Sequence, residues 1–226
     1  MATYTLEKLQ EKLDKNLSWR KKELTIIMNQ IDSTSGEVLS TAIRSGLTLL
    51  YAHWEGYIKS ASREYLKYLN LQGISCESLI DNLFILYLKK TVKDASQSNK
   101  NQVHAQIYNK IHNGGAETFY VDVMDKDIIN TESNLSYEVM EDLLFSLGLE
   151  AKEYELKKHF IKDNLLDGRN KIAHGEYYRF IRKESDEKKE KEEYRELYRE
   201  ILNLIERFKD QILDADIDEK YKKEIV

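Results

Sequence analysis

Residues 37–69, EVLSTAIRSGLTLLYAHWEGYIKSASREYLKYL, decide the fold of this chain because they carry its longest amphipathic pattern. Apolar side chains recur there every three or four residues, which places them on one face of an α-helix. These side chains are Ile43, Leu47, Leu50, Trp54, Ile58, Ala61, Tyr65 and Leu69. The pattern predicts a helix from about Glu37 to Leu69 whose apolar stripe, including Trp54, packs in a core.

Most of the remaining chain has the same helical character. Proline, the strongest helix breaker, is absent from the sequence. Apolar periodicity predicts further helices at Thr5–Ile31, Glu77–Ala95, Gln102–His112, Tyr137–Leu147, Glu150–Phe160 and Lys162–Ile181. We therefore predict an all-α fold, an up-and-down helical bundle with additional helices.

One region, from Gly114 to about Asn134, lacks this periodicity and is predicted to be an irregular loop over or beside the functional site. Within it, Phe119–Val123 is compatible with a short extended piece, and Ser133 or Ser136 with the N-cap of the next helix. After Arg182 a charged run leads to a final amphipathic helix that begins at Tyr194. We predict a single domain over residues 1–226, with the segment 182–226 as an appendage to it.

Composition limits the classes of function. The formal net charge of −5 argues against sequence-independent adhesion to nucleic acid, although it leaves room for a local basic cleft. The single Cys76 fits a reducing compartment, and no apolar run is long enough to span a membrane, so we expect a cytoplasmic protein. No phosphate-binding glycine loop is present, and His104 and His112 are too far apart to share a metal, so we predict neither a cofactor nor a metal.

Residues 165–178, LLDGRNKIAHGEYY, carry the candidate chemistry. Arg169 offers a planar, permanently charged fork that matches a phosphate, His174 can transfer a proton near neutral pH, and Asn170 can orient either group. On a regular helix Asn170 and His174 are about 40° apart, but Arg169 and His174 are about 140° apart. Either the helix is loosened near Gly168, or the arginine stem swings round, or a second chain completes the site. The alternative interpretation is an ordinary helix end with an exposed arginine and a capping histidine.

Arg169-Asn170-x-x-x-His174 resembles the R-x(4–6)-H motif of the HEPN superfamily. Residues 49–57, LLYAHWEGY, and 131–139, TESNLSYEV, resemble one branch of it, the MAE-type nucleases of prokaryotic defence and toxin–antitoxin loci. This resemblance implies a helical, usually homodimeric, RNA-cleaving domain with Arg169 and His174 in the active site. It also implies an RNA substrate, a role as a toxin or defence effector, and a cognate antitoxin as a candidate partner. No metal-ligand cluster accompanies Arg169 and His174, so we expect the ribose 2′-hydroxyl to be the nucleophile and a 2′,3′-cyclic phosphate to be the product.

Three further residues are candidates for supporting this motif, namely Glu55, Tyr177 and Tyr178. The competing interpretation is a surface salt bridge for Glu55 and helix packing for both tyrosines. Some HEPN toxins are silenced by nucleotidylation of a tyrosine two residues after the histidine, where this chain has Glu176, so that regulation does not carry over directly. We interpret His53 as a packing histidine. The alternative function is a non-catalytic RNA- or nucleotide-binding module, or a helical interaction module.

Overall fold

The computed structural model describes residues 4–179 and 186–223, and these residues form an all-α bundle, as predicted. The helices are α1 Leu6–Ser33, α2 Gly36–Asn70, α3 Asp81–Ser96, α4 Asn101–Asn113, α5 Tyr137–Leu147, α6 Lys152–Leu156, α7 Lys158–Ile161, α8 Asp167–Ala173 and α9 Glu187–Ile217. Short 3₁₀ turns lie at Cys76–Ser78 and Gly114–Ala116. Within the described ranges there is no β-strand, only two isolated bridges, Ser75–Thr118 and Leu79–Lys222.

Three long helices, α1, α2 and α9, form the centre of the bundle. Only Thr34 and Ser35 separate α1 from α2, so the two helices run antiparallel. Three ion pairs show that α9 runs antiparallel to α1, because the partner on α1 has a lower residue number as the partner on α9 has a higher one. The pairs are Asp32–Arg195, Lys21–Glu206 and Asp14–Lys209. Helices α2 and α9 therefore both run antiparallel to α1 and parallel to each other.

Helix α2 is the element on which the other parts pack. It contacts α1, α9 and α8, and its buried side chains include most of the predicted apolar stripe. Trp54 is 1% exposed, which confirms its predicted place in the core. Because α2 is 35 residues long, its two ends can serve different surfaces of the molecule.

Helix α9 packs against the rest of the bundle. Its apolar face, including Leu197, Ile201 and Phe208, belongs to the same core cluster as Leu50 and Trp54 of α2. The helix also begins at Glu187, inside the charged run rather than after it. That the chain forms a single domain stays a prediction. Residues 180–185 lie outside the described residues.

Three local predictions differ from the structure. Helix α3 begins at Asp81 rather than Glu77, because Cys76–Ser78 form a 3₁₀ turn, in which Leu79 N donates to Cys76 O and Cys76 N donates to Glu117 O. The predicted helix Glu150–Phe160 is divided into α6 and α7, with Lys157 between them. The motif helix was expected to reach Ile181, but it ends at Ala173, because Gly175 adopts a φ of +79° that terminates it.

Candidate active site

The three stretches that resemble the HEPN motif meet at Arg169, although they are far apart in the sequence. The Arg169 guanidinium lies 4.2 Å from the centroid of the Tyr51 ring on α2. Arg169 Nη2 donates to the carbonyl oxygen of Ser133 at 3.3 Å, and Nη1 donates to Asn170 Oδ1 at 2.8 Å. The arginine is thus held by an aromatic face and two neutral oxygens, and no carboxylate neutralises it among the described residues.

The backbone before the motif is shaped to bring Arg169 to α2. Residues Lys162–Leu166 form a π-turn, in which Asp167 N donates to Lys162 O, and this turn changes the register of the following helix. Gly168 then lies against α2, where a Cβ atom would be 2.6 Å from Leu47 Cδ2 and 2.8 Å from Tyr178 Cζ. A side chain at this position would push α8 away from α2. The helix is therefore loosened just before Gly168, on its N-terminal side.

Tyr51 connects α2 to the loop that precedes α5. Its hydroxyl accepts a hydrogen bond from Leu135 N at 3.0 Å, and burial raises its pKa to about 12, with Glu55 contributing in the same direction. Glu55 Oε1 accepts from Thr131 Oγ1 at 2.5 Å. The described part of the chain gives Glu55 no ion pair, and its hydrogen bond to Thr131 fixes the loop beside Arg169.

The same loop turns sharply where it reaches the arginine. Glu132 and Ser133 are consecutive non-glycine residues with φ of 51° and 58°, a conformation that side chains disfavour. Glu132 N donates to Asn130 Oδ1, which supports the turn. Ser136, not Ser133, is the N-cap of α5, since its side chain accepts from Val139 N. The loop therefore lies beside Arg169, as predicted, and contributes the Ser133 carbonyl.

His174 lies at the other end of α8, exposed to solvent, with its backbone N donating to Asn170 O at 3.0 Å. No hydrogen bond joins the His174 side chain to Arg169 within the residues that the structure describes. Asn170 sits between them in the helix but orients the arginine, through Oδ1, rather than the imidazole. One chain therefore presents a fixed arginine and an uncommitted histidine on the same short helix.

The two tyrosines after the motif have different environments. Tyr178 is half-buried and packs over Gly168, so the packing interpretation is confirmed for it. Tyr177 is 65% exposed, so packing does not explain it. Its hydroxyl accepts from Arg179 Nε at 2.7 Å and lies 3.4 Å from Ser40 Oγ, and these two hydrogen bonds lower its pKa.

Arg44 is a functional candidate that sequence reasoning missed. Its guanidinium lies 5.7 Å from the Tyr177 ring centroid, and Nη2 donates to Glu176 O at 3.3 Å. Arg44 and Ile172 also line a groove of about 500 Å³ between α2 and α8. The sequence gives little indication of this role, because Arg44 lies among the polar residues of α2 and only the fold brings it next to the motif.

A second arginine and histidine meet inside the bundle. Arg20 Nη1 lies 3.1 Å from His53 Nδ1, and Glu23 Oε2 lies 2.7 Å from His53 Nε2. Burial lowers the pKa of both Arg20 and His53, and for His53 the nearby Arg20 charge adds to the effect. His53 is 3% exposed, so the packing interpretation of this residue is confirmed, with hydrogen bonds as well as apolar contacts.

Residues 4–179 and 186–223 contain neither a membrane-spanning helix nor a metal-binding cluster. No helix there is long and apolar enough to cross a membrane. No group of three or more His, Cys, Asp or Glu side chains is arranged to hold a metal ion.

Comparison with known proteins identifies the family of this chain. No curated protein and no solved structure matched the chain. A profile of the RiboL-PSP-HEPN family matches residues 15–214, which covers α2, the loop before α5, and the motif helix. The narrower MAE-type assignment stays a prediction. With most of its length matched, the chain belongs to the RiboL-PSP-HEPN family of the HEPN superfamily.

Proposed function

We propose that this chain is a metal-independent endoribonuclease that cleaves RNA through Arg169, Asn170 and His174. The observation that carries the proposal is the support of Arg169 by Tyr51, Asn170 and Ser133, which lie on α2, on α8 and in the loop before α5. An arginine fixed by neutral groups keeps its charge and its remaining N–H donors for an anion. Membership of a family whose domains act on RNA supports the same conclusion.

The nucleophile in this proposal comes from the substrate. The ribose 2′-oxygen attacks the adjacent phosphorus, the bond from phosphorus to the 5′-oxygen breaks, and the products are a 2′,3′-cyclic phosphate and a 5′-hydroxyl. Arg169 offsets the charge that gathers on the phosphate oxygens, and Asn170 holds the guanidinium in place. His174 transfers the proton, either from the 2′-hydroxyl or to the leaving oxygen. Holding the neighbouring hydroxyl in line makes the attack intramolecular.

The surface next to the motif is suited to a single RNA strand. Tyr177 is exposed between Arg44 and Arg179, whose guanidinium carbons lie 5.7 and 5.3 Å from its ring centroid. An aromatic ring can stack on a base, and guanidinium groups can hold the flanking phosphates. We infer that the groove beside Arg44 guides the strand towards His174.

We also propose that the active form is a homodimer. His174 is exposed, and its side chain forms no hydrogen bond with Arg169 among the described residues. In one chain, the residue that would bind the phosphate and the residue that would transfer the proton are therefore not in contact. A two-fold pairing of α8 would bring two of each residue into one cleft. Sedimentation should give twice the chain mass, and mixing inactive Arg169→Ala and His174→Ala chains should restore part of the activity. A fully active monomer would contradict the pairing.

A role as a toxin or defence effector, opposed by a cognate antitoxin, is the biological setting we propose for this activity. The competing proposal is a non-catalytic RNA-binding or interaction module. It is favoured if expression of the parent chain is harmless and the purified protein binds RNA without cutting it.

The activity itself is tested with one labelled RNA strand in buffer containing EDTA. The parent should cut it, and His174→Ala should lose about 10²–10⁴-fold in rate, because the positioned proton carrier is gone. His112→Ala is the matched control, since His112 is an exposed histidine on α4. Equal rates for the parent and His174→Ala would remove His174 from the mechanism, and loss of cleavage in EDTA would show that a metal is needed.

A further inference from the structure

A pocket of about 450 Å³ lies between α1 and α2, on a different side of the molecule from the motif. Its walls come from residues 12–19 of α1 and 60–67 of α2, with Val123 and Met124 at one edge. On α2, Ser60 and Lys67 point about 160–180° away from Tyr51, so the pocket and the motif occupy opposite faces of this helix. We call it the Trp19 pocket, after the aromatic residue that lines it.

The Trp19 pocket concentrates positive charge in an acidic chain. Four cations line it, Lys12, Lys15, Arg63 and Lys67, against the single carboxylate of Glu64, a formal excess of three positive charges. Only Lys12 forms an ion pair, with Glu64 at 2.9 Å, while the other three have none among the described residues. An uncompensated cluster of this kind attracts an anion.

Arg63 gives a more specific indication. Its Nε atom is shielded from solvent and has no hydrogen-bond partner in the described part of the chain. A buried donor without a partner is costly, and a guanidinium edge of this type fits two oxygens of a phosphate. A phosphate bound beside Arg63, Lys67 and Lys15 would satisfy this donor and the charge together.

Trp19 supplies an aromatic surface that is already held in place. The guanidinium of Arg20 lies 4.6 Å from its ring centroid, and His53 meets it edge-on at 5.1 Å. The indole is nevertheless 48% exposed, whereas the other tryptophan, Trp54, is 1% exposed. A rigid indole with an open surface next to cations is the arrangement that stacks a base while its phosphate is bound.

Glu64 adds an acceptor to the same pocket. Its Oε2 atom accepts from Tyr4 and from Lys12, at 2.6 and 2.9 Å. These bonds lower the pKa of Glu64 against the opposing effect of its burial, so the carboxylate stays ionised. No hydrogen bond to Oε1 occurs in the described residues, and this atom is available to a ribose hydroxyl or a base amino group.

We propose that the Trp19 pocket binds a nucleoside phosphate, either free or as one unit of single-stranded RNA. The base stacks on Trp19, the phosphate lies among Lys15, Arg63 and Lys67, and Glu64 accepts from the sugar or the base. The volume falls within the range of about 300–1,000 Å³ usual for small-ligand sites. This site is separate from the proposed ribonuclease motif and does not depend on its activity.

The test uses the full chain carrying His174→Ala, so that RNA is not cut, with binding measured by calorimetry and by tryptophan fluorescence. The probes are adenosine 5′-monophosphate, a six-nucleotide RNA and inorganic phosphate. We expect the monophosphate to quench the exposed Trp19, and the affinity to fall at least about tenfold in Trp19→Ala, because stacking is lost. Arg63→Gln with Lys67→Gln should weaken it by a similar factor, because the phosphate contacts are lost.

A control separates this pocket from the rest of the surface. Lys188→Gln with Lys189→Gln removes the same charge at the opposite end of the bundle, and should leave affinity within about twofold. RNA that quenches Trp19 at a lower concentration than the monophosphate identifies a strand site, and quenching at equal concentrations identifies a mononucleotide site.

Three outcomes would overturn the proposal. One is no binding of either nucleotide probe. Another is inorganic phosphate binding as tightly as the monophosphate, because Trp19 then has no part in recognition. The third is unchanged affinity in the Arg63 and Lys67 double variant.

Discussion

The chain contains two arginine–histidine pairs in contrasting environments. Arg20 and His53 are 8% and 3% exposed and lie in contact, with Asn16 and Glu23 completing the cluster. Arg169 is half-buried, His174 is exposed, and no hydrogen bond joins their side chains among the described residues. The same two residue types therefore form a buried hydrogen-bonded network at Arg20 and His53. At Arg169 and His174 they form a solvent-accessible pair, which we call the open pair.

The difference shows what makes such a pair available for chemistry. Inside the bundle, the donors of Arg20 are taken up by Asn16 and His53, and the lowered pKa of His53 keeps its imidazole neutral. Nδ1 faces Arg20, and Nε2 lies 2.7 Å from Glu23 Oε2. At the motif, Arg169 is oriented but not neutralised, and His174 is open to a substrate. We therefore expect changes at the first pair to alter stability, and changes at the second to alter activity.

After His174, the largest effect is expected at Arg169. Arg169→Lys keeps a positive charge but loses the planar fork, and should lower the rate of RNA cleavage by about 10²–10³-fold. Its unfolding free energy should change by no more than about 1 kcal/mol, since the contact with Tyr51 is partly exposed. Arg199→Lys, an exposed arginine of α9, is the control in a cleavage assay paired with urea denaturation. Cleavage at the parent rate would mean that the fork is not used.

The next effect is expected at His53, and in stability rather than activity. His53→Ala leaves Arg20 buried without one of its acceptors, and should lower the unfolding free energy by about 2–3 kcal/mol. Adding Arg20→Met should cost less than the sum of the two single changes, because both partners are then removed together. Urea denaturation of the parent, the two single variants and the double variant gives the double-mutant cycle. Additive losses would show that the two residues do not interact.

A smaller effect on activity is expected at Asn170. Asn170→Ala removes the oxygen that accepts from Arg169 Nη1, so the guanidinium loses one of its supports. The rate of RNA cleavage should fall by about tenfold, which corresponds to one hydrogen bond to a charged group. Asn170→Asp is the informative companion, since a carboxylate would neutralise Arg169 and should lower the rate further. If the Asn170→Asp protein is more active than Asn170→Ala, the positive charge of Arg169 does not have to be free of a carboxylate partner, and this view is contradicted.

The smallest effect is expected in the dependence of stability on pH. The pKa of His53 is lower in the folded protein than in the unfolded chain, so below about pH 6.5 the unfolded chain takes up a proton that folded His53 does not. This contribution to stability is full above that pH and is lost as the pH falls from it towards the folded pKa. The decline between pH 7 and pH 5 should be less steep in His53→Gln than in the parent. Parallel curves would show that His53 titrates alike in both states.

The sequence predicted the fold better than the surroundings of the motif. Periodic apolar positions located α1, α2 and α5 to within about two residues, because burying one helical face requires that periodicity. The apolar periodicity did not predict where α8 ends, because Gly175 terminates the helix although the apolar spacing continues beyond it. Local pattern cannot decide between these outcomes when both satisfy the same apolar spacing.

The site was predicted in part, for a physical reason. Arg169, Asn170 and His174 lie in one short segment and share a recognisable spacing, so they could be selected from the sequence. Their partners Tyr51, Ser133 and Arg44 come from distant segments, and only tertiary packing places them beside α8. The π-turn before α8 was also not predictable, because no residue type in Lys162–Leu166 requires it.

The central claim is that the open pair cleaves RNA by means of the substrate's own 2′-hydroxyl. Its most direct test is one oligonucleotide made in two forms, with ribose or with a 2′-O-methyl group at the cut site. A third strand, methylated one nucleotide away, controls for binding. The account predicts that the ribose strand and the control strand are cut to a 2′,3′-cyclic phosphate while the methylated site resists. Equal cleavage at the ribose and the methylated site would show that water is the nucleophile, and would contradict the account.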